Sequence, residues 1–329
     1  MRAILILLVF ICGNIHAQFV KDQQQWVEQL NLNGALPDKL LSTRTAVFYD
    51  YKLSPKELGE AQKQFQRTGI DAVVHFELDV VMAGKDVSKA FSDYLIKREI
   101  VNLLLIEKLP IAYRLTITPF NAKETIVDSA QQAWSINNRV FGDALKEMYK
   151  VAAGQQKRLN LLINEAPETG ALVNPIPGKR NEFFAIDTKV DPLAVVRTGD
   201  DIVDKELEEI FNSHYSLKFK IAPKGLTEKE LRKQGLLYVL CVVRTRNIAA
   251  QDLLGYDVSK AGDELISVTY PDLIQQSKKI ATNAPVYKFY FKHIDSGNVF
   301  LGTKWDADVS WQQALLNQLQ GMKAELRLN

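Results

Sequence analysis

The sequence predicts an α/β fold of the α+β kind: two tandem, homologous β-α-β-α-β-β-α units whose helices pack on mixed sheets. Three observations predict it. The pentapeptide Asp-Val-Ser-Lys-Ala stands at 86–90 and again at 257–261, each time downstream of a strongly apolar strand. A helix-opening motif occurs as Leu53–Leu58 (LSPKEL) and again as Leu226–Leu231 (LTEKEL). Pro110–Arg114 (PIAYR) returns as Pro285–Lys288 (PVYK), and Trp134 and Trp305 each stand just ahead of a closing helix. A chain of 329 residues, 47% of them hydrophobic, has length and apolar content for about two cores.

The N-terminus reads as an address rather than as fold. Arg2 supplies a positive start, Ala3–Ile11 is apolar, and Ile15 and Ala17 occupy the small-residue positions of a cleavage site before Gln18. Residues 1–17 are therefore expected to be a cleaved secretory signal, too short in its apolar run to span a membrane. Phe10 and Ile11 ahead of Cys12 argue against a lipid anchor there. The expected division is a first repeat over 18–152, an ordered inter-domain bridge over 153–199 and a second repeat over 200–329. The bridge holds many turn residues (Pro167, Gly170, Pro175, Pro177, Gly178, Pro192) but too many apolar ones for a disordered linker.

In the first repeat, Phe19–Asn33 reads as helical and Thr45–Tyr51 as a strand. Ser54, Pro55 and Glu57 form a capping box with proline at the first helical position, and Gly69 releases that helix into a strand over Asp71–Val81. A helix opening at Asp86 follows, with Asp86 as its cap, and then strands near Val101–Glu107 and Ala112–Thr118. The closing helix carries Ile136, Val140, Phe141, Ala144, Leu145 and Met148 on one face. In the second repeat, Ile202–His214 is amphipathic, Leu217, Phe219 and Ile221 alternate as a strand, and Thr227 with Glu230 rebuilds the capping box. Leu236–Arg246 is the strong strand, Asp295–Asn298 a hairpin turn, and Trp311, Leu315, Leu319, Met322 and Leu326 line the last helix. Inside the bridge, Phe183–Ile186 and Leu193–Val196 read as short strands.

Charge and cysteine content exclude several function classes. The whole chain has 41 basic and 39 acidic residues, and loss of Arg2 with the signal leaves the charges nearly balanced. That is no footprint for nucleic acid or for an anionic membrane surface. Cys241 is the one cysteine left after cleavage, so no internal disulfide or cysteine-built metal site is expected, and its place mid-strand suits a small buried hydrophobe.

Candidate chemistry is sparse. His75, Glu77 and Asp79 alternate with Val74, Phe76 and Leu78, so they share one face of a strand and are the candidate metal-ligating or proton-sharing residues. Aligning Gly69 with Gly235 sets Cys241, Val243 and Thr245 opposite them, so the polar trio is not part of the shared plan. Gly297–Lys304 has glycines and a lysine but in the wrong order for a phosphate loop, and it lies in a hairpin. No Gly-x-Ser-x-Gly or His-Glu-x-x-His occurs. His214 ends a helix, where a cation suits the dipole, and His293 belongs near a surface turn. Trp134 and Trp305 read as packing residues, and Lys179-Arg180 as a conspicuous basic turn.

The expectation is thus a secreted or periplasmic, non-catalytic interaction protein without a cofactor, an accessory subunit of an outer-membrane assembly or protein-secretion machine. Its partners would be proteins, with no nucleic acid and no transmembrane span. Two other classes stay open: a periplasmic small-ligand-binding protein holding its ligand between the repeats, and a hydrolase-type enzyme with its site on the His75 strand face.

Overall fold

A computed structural model describes residues 23–169 and 173–328, so the secretory signal expected at 1–17 lies outside the described residues. In chain order the first part of the molecule comprises α1 (Gln23–Glu28), β1 (Arg44–Tyr49), α2 (Pro55–Thr68), β2 (Asp71–Glu77), α3 (Leu78–Val81), α4 (Lys85–Lys97), β3 (Ile100–Lys108), β4 (Tyr113–Pro119), β5 (Trp134–Asn138) and α5 (Phe141–Gln155). Its sheet runs β2-β1-β3-β4-β5, with β2, β1 and β3 parallel and β4 and β5 antiparallel additions. The buried run Leu103–Ile106 of β3 is what a strand covered on both faces requires.

The second part comprises β6 (Arg180–Asn181), β7 (Leu193–Val196), α6 (Asp201–His214), β8 (Phe219–Ala222), α7 (Glu228–Lys233), β9 (Tyr238–Arg246), α8 (Asn247–Leu253), β10 (Glu264–Thr269), β11 (Gln276–Ala281), β12 (Pro285–His293), β13 (Val299–Phe300) and α9 (Trp311–Leu326). Read from its far edge, this sheet runs β8-β7-β9-β12-β13-β6, while β10 and β11 form a separate hairpin. Strands β8, β7 and β9 are parallel and β12 and β13 antiparallel additions. Five strands of each sheet therefore have the same order and directions. The molecule is a mixed α/β structure with nine α-helices among the described residues.

The sequence echoes map onto that common order only in part. Asn138 Oδ1 accepts from Val140 N–H just before α5, and Asp308 Oδ1 accepts from Ser310 N–H just before α9. Asn138 stands beside Tyr113 of β4, as Asp308 stands beside Tyr287 of β12. Of the C-terminal echoes, Pro110–Arg114 and Pro285–Lys288 thus occupy matching places, whereas Trp134 packs against the α2–α5 side and Trp305 lies between the sheets. The N-terminal ones do not. Ser54 opens the helix between β1 and β2, whereas Thr227 opens the one between β8 and β9, which answers to the β2–β3 connection. Asp86–Ala90 is helical, while Asp257–Ala261 lies in a turn after α8. Pairing β2 with β9 through Gly69 and Gly235 is likewise out of register, because β9 occupies the place of β3. Capping boxes mark the start of any helix and carry no information about which helix it is.

Several expected boundaries shift as well. The strand from Asp71 ends at Glu77, and Leu78–Val81 turns as a short helix that buries Leu78 and Val81. Asp86 is not the cap of α4: Gly84 takes that position and Asp86 sits in the first turn. Trp134 and Ile136 belong to β5, and the closing helix begins at Phe141. The N-terminal helix is described only over Gln23–Glu28. Within 153–199, Leu193–Val196 is a strand as expected, but Ile186–Lys189 is a 3-10 turn, and β6 and β7 are members of the second sheet.

Three large cores set the layers, with a small fourth one around Leu231 of α7. Val47, Leu104, Ile106 and Leu115 meet α2 and α5 on one face of the first sheet. Leu193, Val195, Phe289 and Phe291 meet α6 and α9 on one face of the second. Between the two sheets lies a single continuous core. It joins Phe48, Phe76, Val87, Phe91 and Leu103 of the first part to Val243, Ala250, Val286, Tyr290 and Trp305 of the second. The two parts are not beads on a bridge. Across the seam Arg244 N–H donates to the Ala83 carbonyl at 2.6 Å. An added Cβ on Gly84 would fall on the carbonyl oxygen of Val242, so glycine is required there.

Candidate functional site

The site forms where β1 and β2 end. A register shift between Thr45 and Ala46 makes Val73 an extra residue in β2. Past this bulge, Val74 and Phe76 join the inter-sheet core, while His75 and Glu77 stand beside Val47 and Tyr49 on the other face. Residues near Glu168 cover the outer edge of β2, with Glu168 N–H donating to Val73 and His75 N–H donating to Glu168. Beside Thr169 a cavity of about 550 Å³ opens. Its walls are the end of β2, the 173–180 connection and the C-terminal end of α8, so all three regions of the chain contribute. Crevices beyond the carboxyl ends of parallel strands are the usual ligand positions of α/β sheets.

His75 is 2% exposed and lines this cavity, and its Nε2 has no hydrogen-bond partner. Burial pushes its imidazole down to about 4, so the ring is neutral at ordinary pH. The Tyr49 ring meets it edge-on at 6.5 Å between centroids. Burial raises the Tyr49 phenol, and the Glu77 carboxylate raises it further.

Arg246, at the end of β9, ties the second part of the molecule to this corner. Its Nε donates to Asp79 Oδ2 at 2.7 Å, its guanidinium also donates to Glu77 Oε2, and it lies 4.2 Å from the centre of the Tyr51 ring. Thr245 Oγ1 adds a hydrogen bond to the same Asp79 oxygen at 2.8 Å. Asp79 Oδ1 remains buried without a partner. Burial pushes the Glu77 carboxyl up; Arg246 draws it down, and Asp79 and Asp252 push it up again. The corner thus holds more negative charge than its arginine neutralises.

Of the sequence candidates, the fold brings His75 and Glu77 to one cavity, as their alternation implies. It diverts Asp79 into α3, where Asp79 and Glu77 serve as the two acceptors of Arg246. No group of three or more histidine, cysteine or acidic residues among the described residues is arranged to hold a metal ion. Arg180 of the basic turn does reach the cavity wall, donating from Nε to the Leu254 carbonyl and stacking on Tyr256 at 4.3 Å. Sequence reasoning missed Arg246, Tyr49 and Asp252. Arginines closing the apolar run Val239–Val243, as Arg244 and Arg246 do, were the one available signal, since a half-buried guanidinium demands an acceptor.

The other candidates serve structure. Trp305 Nε1 donates to Asn247 at 3.1 Å in the core, and Cys241 lies within β9, its thiol pushed up by burial. Gly297 sits in the β12–β13 turn. A second opening of about 570 Å³ lies between α4 and the start of α7, where part of the charge is internally paired and no described ion pair engages Lys85, Lys97 or Lys229. Lys292 there binds Asp86 at 2.7 Å and also Glu228, and Lys89 binds Asp93 at 3.2 Å and Glu124 at 3.5 Å.

Neither a family model, nor a curated protein, nor a solved structure matches the chain. No helix among the described residues is long and apolar enough to cross a membrane.

Proposed function

We propose that the protein is a secreted or periplasmic small-ligand-binding protein that holds its ligand in the cavity at the end of β1 and β2, between the two sheets, without catalysing a reaction on it. The observation that carries this reading is the unpartnered Nε2 of a 2%-exposed His75 lining a cavity of about 550 Å³. A buried polar atom without a partner costs stability, and a ligand that supplies the missing hydrogen bond recovers it. The volume lies within the range of small-molecule sites. The neighbouring carboxylates support binding rather than general acid–base catalysis: Glu77 and Asp79 are engaged by Arg246, and no nucleophile stands beside His75 among the described hydrogen bonds.

The test is thermal unfolding of the purified protein against a library of small molecules, run in parallel on His75→Phe, whose ring occupies the cavity. Binding to the folded state alone raises the melting temperature with the logarithm of ligand excess. A compound class that stabilises the parent and not the variant supports the reading. Stabilisation of neither, or of both equally, overturns it.

A specific observation favours a second reading, the docking of a protein partner in an outer-membrane or periplasmic complex. The β10–β11 hairpin has no counterpart in the first sheet, and its tip holds Asp272 and Leu273 in the left-handed region, at φ of 50° and 63°. A leucine in that conformation is unusual, and here it leaves Leu273 and Ile274 more than half exposed. Cross-linking in the native host, comparing the parent with Leu273→Asp, tests it: a partner cross-link lost in the variant supports docking, and one that is unaffected sinks it.

A further inference from the structure

The cavity walls carry enough chemistry to name a ligand class, an inference that rests on the ligand-binding reading. We infer that the cavity takes a small organic amine, its ammonium group held by Glu77 and Asp252, its apolar or aromatic body set against Phe76, Phe91 and Leu253, and one hydrogen bond made to His75 Nε2.

The polar groups of the wall divide into those already engaged and those left open. Two cations lie near the cavity, and each already has a carboxylate partner. Arg246 is taken by Glu77, Asp79 and the Tyr51 ring. Arg180 lines the wall, but it donates to Leu254, stacks on Tyr256 and forms an ion pair with Glu182 at 2.6 Å. An incoming anion would find both cations already paired with carboxylates, with only Arg180 Nη2 lacking a directed hydrogen bond, and it would face Glu77 and Asp252.

The acceptors are in the opposite situation. Arg246 binds Oε2 of Glu77, and the other carboxylate oxygen accepts no described hydrogen bond. Asp252 is exposed at the mouth, and no described hydrogen bond engages its carboxylate. Burial is the largest cause of the upward push on Glu77, and Asp79 and Asp252 add their negative field against the pull of Arg246. A cation entering here neutralises that field at a half-buried position, where a charge-assisted hydrogen bond is about twice as strong as a neutral one. Thr169 and Asn174 add polar groups, and much of the rest of the wall is hydrocarbon: Phe76 and Phe91 meet edge-to-face at 4.9 Å, and Leu253 closes the α8 side. Aromatic edges and faces beside an ammonium group suit a ligand with its charge at one end.

The experiment is isothermal calorimetry on the full mature chain with three probes of one shape and different charge: phenethylamine, 2-phenylethanol and phenylacetate. The expected result is binding of phenethylamine, weaker binding of 2-phenylethanol and none of phenylacetate. Asp252→Asn, at an exposed position where the fold does not depend on the charge, should weaken phenethylamine about tenfold and leave 2-phenylethanol unchanged. Phenylacetate binding as well as the amine, or an Asp252→Asn variant that binds the amine as tightly as the parent, overturns the amine assignment while leaving a ligand site in place. Failure of all three probes at millimolar concentration, together with no hit in the thermal screen, overturns the ligand-binding reading itself.

Discussion

In the first sheet each face is covered by helices of its own part of the chain: α2 and α5 on one side, α1 and α4 on the other. The second sheet has α6 and α9 on one side, in the places of α2 and α5, but only the six-residue α7 in the place of the thirteen-residue α4. Its inner face is closed instead by α3 and α4 of the first part, with α8 and β11. A common strand order therefore coexists with unequal cover. The difference teaches why the parts cannot separate: one layer of helix serves two sheets. Where that shared layer ends, beside α3, the cavity begins.

The largest expected effect follows directly. Residues 173–329 expressed alone would expose Val243, Val286, Tyr290 and Trp305 to water, a buried apolar area that sets whether a domain folds. That piece should show no cooperative thermal transition and should bind a hydrophobic dye. Residues 18–169 alone, with both sheet faces covered, should retain a cooperative if weakened transition. A second piece that unfolds as sharply as the full chain would break the comparison.

Arg246→Ala acts on the same seam through charge. It leaves Glu77 and Asp79 without their shared cation, and removing one partner of a largely buried ion pair costs about 3–5 kcal/mol. Denaturant unfolding should show a loss of that order. Lys123→Ala removes a pair with Asp128 that is mostly exposed, so its effect should be within about 1 kcal/mol. Equal losses in the two variants would deny that the seam is special.

His75 supplies a smaller, pH-dependent effect. The unfolded chain takes a proton near pH 6.5 and the folded chain only near 4. Between those values the unfolded state binds more protons, so stability falls as pH falls, by up to about 3 kcal/mol once pH 4 is reached. Asp306 opposes this trend: burial, against the pull of Lys288, pushes its carboxyl up to about 6, so its contribution falls as pH rises. The His75 share is therefore read as the difference between parent and His75→Gln. That difference should change steadily from pH 6.5 to 4 and be flat above pH 7. A pH-independent difference would mean that the imidazole is not held neutral.

How much of this was legible in the sequence depends on the range of each interaction. Both capping boxes, the same-face placement of His75 and Glu77, and the strand at Leu193–Val196 are local patterns, and each is found where the pattern puts it. Which strand a helix leads to is not local. Parallel pairing of β1 with β3 spans an entire helical layer, and so two similar helix starts were matched although they open non-equivalent helices. The Val73 bulge, the turn at Leu78 and the arrival of Arg246 beside Glu77 are set by tertiary packing, for which neighbouring letters hold no periodicity.

The two capping boxes offer the finest test, because one motif sits in two settings. In both, the serine or threonine hydroxyl accepts from the N3 backbone, and the N3 glutamate accepts from the cap backbone. Around Glu57 the structure adds Lys108 at 2.9 Å and Tyr113 at 2.7 Å. Partial burial pushes Glu57 up, but the Ser54 backbone, Lys108 and Tyr113 together hold it down to about 2. Glu230 has only Thr227 and a nearby Lys233, and its carboxyl is lowered by the cap bonds in full solvent. Ser54→Ala should therefore cost about 1 kcal/mol, in the ordinary range for a lost cap, and Thr227→Ala less. The acid side separates them further. A carboxylate depressed in the folded state stabilises above its unfolded value near 4.5, and that contribution disappears as pH falls toward 2. Glu57→Gln should thus flatten the acid limb of the stability curve between pH 4.5 and 2, and Glu230→Gln should leave most of it intact. Equal flattening by both would show that the local motif, and not the strand hairpin packed over Glu57, sets its charge.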